Sequence, residues 1–173
     1  MAIFGLIFNF WDSRRKVRAD LVSKSRIAWM LEVRRQYAEY LTLSHTIAQD
    51  VKNLNKFSPL EYGSKKYQKI KEKMYGRQFE LQNKYYFLKL YITDKSNEDL
   101  YGPIVDIHYI LAKQINNVNK HSDPNTSEIS DVRYPGSYTN KPSQIEIFGL
   151  LNIAIDNASV FFKEEWEKAK SGK

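Results

Sequence analysis

Three polar, turn-rich breaks divide the chain, and between them the apolar residues return every three or four positions. The breaks read KFSPLEYGS (56–64), TDKSNEDLYGP (93–103) and KHSDPNTSEISDVRYPGSYTNKPS (120–143). Proline and glycine concentrate in them; in Tyr134-Pro135-Gly136, Pro presets φ and Gly tolerates the positive φ of a turn. Ahead of the first break, Ile27, Met30, Leu31, Ala38, Leu41, Ala48 and Val51 follow the i, i+3, i+4 spacing of one helix face. Tyr67, Ile70, Met74, Leu81, Tyr85, Leu88 and Ile92 repeat it in the second segment. Ile104, Ile107, His108, Leu111, Ile115 and Val118 form a third stripe, with Pro103 expected near its first turn. Ile147, Phe148, Leu151, Ile155, Ala158, Phe162 and Trp166 form a fourth, in a helix expected from about 142 to 169.

The stretch YYFLKLYI (85–92) is strand-prone in isolation, but it continues the stripe begun at Tyr67 and is read as helix. Each of the four helices must bury its stripe, which predicts an all-α fold: an antiparallel helical bundle of about four helices with a long first helix. That helix is expected to run unbroken from near Asp12 to Asn55. A short apolar segment over 1–11 precedes the bundle domain of 12–173, which carries a polar loop at 120–143.

Charge is unevenly distributed. The 173 residues carry a net +7, yet 93–173 holds nine Lys/Arg against twelve Asp/Glu, whereas 12–36 and 61–92 each hold eight against three. The basic half attracts anionic lipid, nucleic acid or an acidic protein face, and charge alone does not choose among them. The basic face of the second helix is assigned to Lys65, Lys66, Lys69 and Lys73, interleaved with Tyr67 and Tyr75. Because Tyr67, Ile70 and Met74 sit at core spacing, a solvated basic helix is the simpler account of those lysines.

No catalytic signature accompanies this pattern. With no cysteine, the chain has no disulfide, thiolate site or cysteine nucleophile. The three histidines, His45, His108 and His121, lack a second histidine one turn away and any H-E-x-x-H motif, so no metal is expected. None follows an arginine at the four-to-six-residue spacing of one class of helical ribonucleases. Glycine-rich phosphate loops and nucleophile elbows are absent as well, so neither a cofactor nor an enzymatic activity is expected. Arg34 falls on the apolar stripe of the first helix and therefore needs a carboxylate, for which Glu39 and Glu165 are the candidates.

The chain opens MAIFGLIFNFWDSRRKVRAD. Spanning a bilayer takes about 20 apolar residues, and this segment supplies eleven uncharged ones before Asp12, the polar Asn9 among them. A secretory signal would place its basic region first; here the order is reversed. Phe4, Phe8, Phe10 and Trp11 can enter one leaflet with Arg14, Arg15, Lys16 and Arg18 at anionic head groups. The same residues can instead pack on the bundle or on a protein target.

The stretch DLVSKSRIAWMLEVRRQYAEYL (20–41) resembles a pattern found in small, N-terminally membrane-anchored helical proteins of low-GC Gram-positive bacteria and their prophages. The matching residues are Ser23, Lys24, Arg26, Trp29, Met30 and Arg34, with Glu165, Trp166 and Lys170 matching the E-W-x-x-x-K ending. The resemblance covers the first forty residues and the last dozen. It implies a cytoplasmic helical domain tethered at its N-terminus, with Arg, Trp and Glu positions holding the chain ends together, and it brings no activity. The expectation is a non-enzymatic interaction or regulatory protein, peripheral to the inner membrane face and encoded by a phage or mobile element. The alternative is a soluble inhibitor that meets a nucleic-acid-handling defence complex through the basic face. The partners open to such a chain are foremost a protein, then an anionic membrane surface, nucleic acid and a second copy of itself.

Overall fold

The computed structural model describes the backbone of residues 2–92, 97–122 and 147–170, and the side chains of 17, 20–92, 97–120 and 147–170. Four helices account for nearly all of it: α1 (Ala2–Leu54), α2 (Lys65–Ile92), α3 (Glu98–Ser122) and α4 (Ile147–Lys170). A 3₁₀ turn at Pro59–Glu61 joins α1 to α2. Glu61 closes this turn by accepting from the Ser58 amide and hydroxyl, both at 2.8 Å. Ser64 Oγ then accepts from the Tyr67 amide at 3.2 Å and caps α2. The polar loop expected at 120–143 lies almost wholly outside the described residues, as do 142–146, where the fourth helix was expected to begin. α1 starts at Ala2 and passes 11–12 without a break, so the apolar segment and the basic cluster are successive turns of one helix.

The chain divides into two units, 36–158 and 1–35 with 159–173. In the first, cross-helix bonds fix an up-down-up-down bundle. Asp50 and Glu39 of α1 pair with Arg77 and Lys84 of α2, an antiparallel match. Tyr75 and Tyr85 of α2 meet Asn119 and Tyr101 of α3, again antiparallel. Tyr37 donates to the carbonyls of Leu100 and Ala154 at 3.1 and 3.3 Å, and Tyr40 to that of Ile104 at 3.0 Å. α1 and α3 therefore run parallel, and α4 returns antiparallel to both. In the second unit α1 and α4 form an antiparallel pair.

The buried positions of α1 overlap the expected stripe at Met30, Leu41, Ala48 and Val51 but follow a different register between them. Met30, Val33, Tyr37, Tyr40, Ser44, Ile47, Val51 and Leu54 are buried, alternating steps of three and four as in a heptad seam, while Leu31 and Ala38 face outward. Tyrosine takes inner places because its ring fills the seam while its hydroxyl bonds a carbonyl of a neighbouring helix. In α2 the buried Tyr67, Met74, Leu81 and Leu88 stand seven residues apart. The stripe of α3 holds as expected, with Ile104, Ile107, Leu111, Ile115 and Val118 buried and His108 half-buried. In α4 Leu150 and Ala154 join the interior, and Ile155 and Trp166 stay exposed.

α3 begins five residues before Pro103, not at it. A proline at this depth lacks the amide that would bond the carbonyl four residues back. That carbonyl belongs to Asp99, and Asn157 of α4 donates its side-chain amide to it at 2.8 Å. The helix thus keeps its proline because a neighbour supplies the missing donor.

Candidate interaction surfaces

The second unit is closed by polar contacts at its rim. Arg26 donates from Nε and Nη2 to Glu165 Oε2, at 3.2 and 2.7 Å, and Lys168 donates to Glu165 Oε1 at 2.9 Å. Three residues back along α1 from Arg26, Ser23 Oγ donates to the Ala169 carbonyl at 2.8 Å. Burial alone would raise the Glu165 pKa; the hydrogen bonds and charges of Arg26 and Lys168 outweigh it and hold the carboxyl below its ordinary value. Met30, Val33, Phe162 and Ala169 are buried in this unit. Val17, Leu21, Val22, Leu31 and Val160 are left exposed there.

Arg34 departs from its expected place. It is exposed beside Val33, because the seam of α1 runs through Val33 and Tyr37 and turns position 34 outward. Its two candidate carboxylates are engaged elsewhere: Glu39 with Lys84 and Glu165 with Arg26 and Lys168. The arginine that joins the ends of the chain is Arg26, three residues before Trp29. Phe4, Phe8, Phe10, Trp11, Arg14, Arg15, Lys16 and Arg18 lie on α1, and their side chains fall outside the described residues.

In the bundle unit, α2 presents two faces of different chemistry to its surroundings. Over its first turns Lys65, Lys66, Lys69 and Lys73 are all exposed, with Lys66 5.8 Å from the Phe57 ring centre. From Tyr75 onward large apolar side chains stand among the outward residues, with Tyr75 37% exposed, Phe79 70%, Tyr86 52%, Leu90 81% and Tyr91 47%, beside exposed Glu80, Gln82, Asn83 and Lys89. At 100° per residue, Phe79, Tyr86 and Leu90 lie within about 40° of one another, and Tyr75 adjoins them. α2 is therefore apolar on two opposite sides, and only one of them is buried. Gly76 adds to this face. A methyl group at its Cα would meet nothing within 4 Å, so no packing inside the chain requires glycine there. Yet glycine in a helix interior costs about 1 kcal/mol relative to alanine.

His108 holds a packing position, His45 is exposed, and the side chain of His121 lies outside the described residues. His108 stacks on Tyr85 with ring centres 4.0 Å apart and planes 7° apart, and burial pulls its pKa down to about 4, so it is neutral near pH 7. His45 meets Phe148 edge-on at 5.4 Å. Among the described residues no group of three or more His, Asp or Glu side chains is placed to hold a metal ion. Two open hollows are also present. One, of about 490 Å³, is lined by Asn53, Lys56, Phe57 and Lys66, and the other, of about 340 Å³, by Val51, Asn55, Gln114 and Phe148. Comparison with protein-family models, curated proteins and solved structures gives no match.

The basic face was legible in the lysine spacing. The aromatic row was not, because Phe79, Tyr86 and Leu90 were absent from the expected stripe and nothing in the local pattern marked them as a second face. The signal was available in the seven-residue spacing of Phe79 and Tyr86, out of phase with Met74, Leu81 and Leu88.

Proposed function

We propose that the chain is a non-enzymatic interaction or regulatory protein whose helical domain is held at the inner face of an anionic membrane by the start of α1. The observation that carries this reading is the continuity of α1 from Ala2. Apolar residues 2–11 and the basic cluster Arg14, Arg15, Lys16 and Arg18 follow one another on a single helix, the order of an N-terminal anchor whose cargo stays in the cytoplasm. Exposed Val17, Leu21 and Val22 extend the apolar surface available to an interface. Among the described residues no helix is long and apolar enough to cross a membrane. Flotation with vesicles tests this. The chain should float with phosphatidylglycerol-containing vesicles and not with phosphatidylcholine alone. Each basic residue replaced by glutamine should weaken binding by about fivefold, corresponding to ~1 kcal/mol per charge. Equal recovery with both vesicle types, or binding indifferent to the four charges, would remove the reading.

A second reading is supported by the exposure of Lys65, Lys66, Lys69 and Lys73 on one short stretch of α2. In it a phage- or mobile-element-encoded chain inhibits a nucleic-acid-handling complex through this face. Replacing the four lysines with glutamine should then abolish inhibition without lowering vesicle binding. If the face contacts nucleic acid directly, affinity should also fall steeply with salt.

A further inference from the structure

The outward apolar row of α2, of which Tyr75 also bonds Asn119 of α3, has an internal symmetry. Tyr75, Phe79, Tyr86 and Leu90 are spaced four, seven and four residues apart, which reads the same in both directions. Tyr75 and Leu90 are equidistant from a point between Gln82 and Asn83, and so are Phe79 and Tyr86. A two-fold contact between identical surfaces sets residue i against residue j and j against i, so it requires a surface that matches itself on reversal. We propose that this row is the interface between two copies of the chain, packed with their α2 helices antiparallel and the two-fold axis passing between Gln82 and Asn83.

Three further observations fit a second copy. The residues at the axis are amides, which donate and accept alike and so can meet their own copies, as a charged side chain could not. Gln82 already donates to the Tyr86 hydroxyl at 3.2 Å, which orients it along the row. Charge also favours the antiparallel arrangement. The strip from Tyr75 to Leu90 has no charged residue along its centre, and Lys65, Lys66, Lys69 and Lys73 all lie at one end of α2. Antiparallel packing sends the two lysine clusters to opposite ends, whereas parallel packing would set them side by side. Finally, Gly76 leaves the strip without a side chain next to Tyr75, at the level where the second copy's Lys89 and Leu90 arrive. Close approach of helices is a use for glycine that the isolated chain does not provide.

The four side chains of the row expose roughly 450 Å² per copy, taking ~150–250 Å² for a whole aromatic residue. The pair would bury about 900 Å² through them, and flanking polar residues carry it to the ~1,000 Å² of a small specific interface. The dimer should accordingly be reversible and concentration-dependent.

Sedimentation of the full chain over an about hundredfold concentration range tests the proposal. The wild type should pass from monomer to dimer. Phe79→Glu and Leu90→Glu should raise the dissociation constant more than about thirtyfold while leaving the helical circular dichroism intact, since both positions are exposed. A wild type that stays monomeric throughout overturns the proposal, as does a Phe79→Glu chain that associates as well as the wild type. The axis is tested separately. The chain has no cysteine, so a single introduced one reports its own encounters. Gln82→Cys or Asn83→Cys should oxidise to a disulfide-linked dimer, and Lys65→Cys or Lys69→Cys should not. Equal cross-linking at 65 and 82 contradicts the antiparallel two-fold. Salt-sensitive binding of single-stranded nucleic acid that is lost in Phe79→Glu, from a chain that remains monomeric, would assign the aromatic row to nucleic acid instead.

Discussion

α2 and α3 are neighbours in the same unit and are apolar to similar eyes, but they meet opposite demands. From Leu100 to Ile107 every residue of α3 is buried, including Asp106. Two of its irregularities are answered from within the chain, since Asn157 serves the carbonyl that Pro103 strands and Tyr37 and Tyr40 bond the carbonyls of Leu100 and Ile104, although His108 Nδ1 is buried without a hydrogen bond among the described residues. α2 buries one row and leaves another, of equal apolarity, in the open. Among the described residues nothing lies within 4 Å of a methyl group placed on Gly76, and Phe79, Tyr86 and Leu90 stay more than half exposed. The difference teaches where stability ends and association begins. A residue whose oddity is compensated inside the chain serves the fold, and one whose oddity is left uncompensated is available to a partner.

Paired truncations should break this contrast most sharply. Ile104→Ala should lower stability by about 2–5 kcal/mol, as expected for emptying a sealed site, whereas Leu90→Ala should change it by less than about 0.5 kcal/mol. Chemical denaturation at a concentration low enough to keep the chain monomeric separates the two. Similar losses at both positions would erase the distinction.

Acid provides the next test. The folded-state pKa of His108 is about 4, below its ordinary 6.5, because burial disfavours the cation. Between these values the unfolded chain binds a proton that the folded chain refuses. The contribution is therefore complete above pH 6.5 and is lost progressively as the pH falls to 4, up to about 3 kcal/mol. His108→Phe, which keeps a ring against Tyr85, should flatten that part of the stability profile. An unchanged slope would remove His108 from the interior account.

Smaller effects are expected from the proline and its helper. Asn157→Ala should cost about 1 kcal/mol, and the loss should shrink in a Pro103→Ala background, where the backbone amide again reaches Asp99. A coupling near zero in this double-mutant cycle would mean that Asn157 does not answer the proline. On α2, Gly76→Ala should stabilise the monomer by up to about 1 kcal/mol, because the added methyl group meets nothing within 4 Å.

Much of this architecture was legible in the spacing of apolar residues. Met74, Leu81, Leu88, Leu111 and Ile115 are buried as expected, since aliphatic side chains at helical spacing have few alternatives to the core. The register of α1 was misread where tyrosine and serine carry it, at Tyr37, Tyr40 and Ser44. Tyr37 and Tyr40 look amphipathic in a sequence, and only the carbonyls they reach make them interior residues. Ala38 and Leu31 look apolar but fall outside the heptad seam. Arg34 followed the same error of register. Pro103 was placed at a helix start because its helper lies 54 residues further on. The outer row of α2 was hidden for a different reason: helical periodicity shows that residues share a face, not whether another helix covers it.

The central claim, that the inner rows of the bundle carry stability while the outer row of α2 carries association, is tested most directly by the melting temperature as a function of concentration. Association of folded chains stabilises them by mass action, so the wild-type midpoint should rise with concentration. The midpoint of Phe79→Glu should stay constant and match that of the wild type at high dilution. A midpoint independent of concentration in the wild type, or one that rises equally in the variant, would contradict the account.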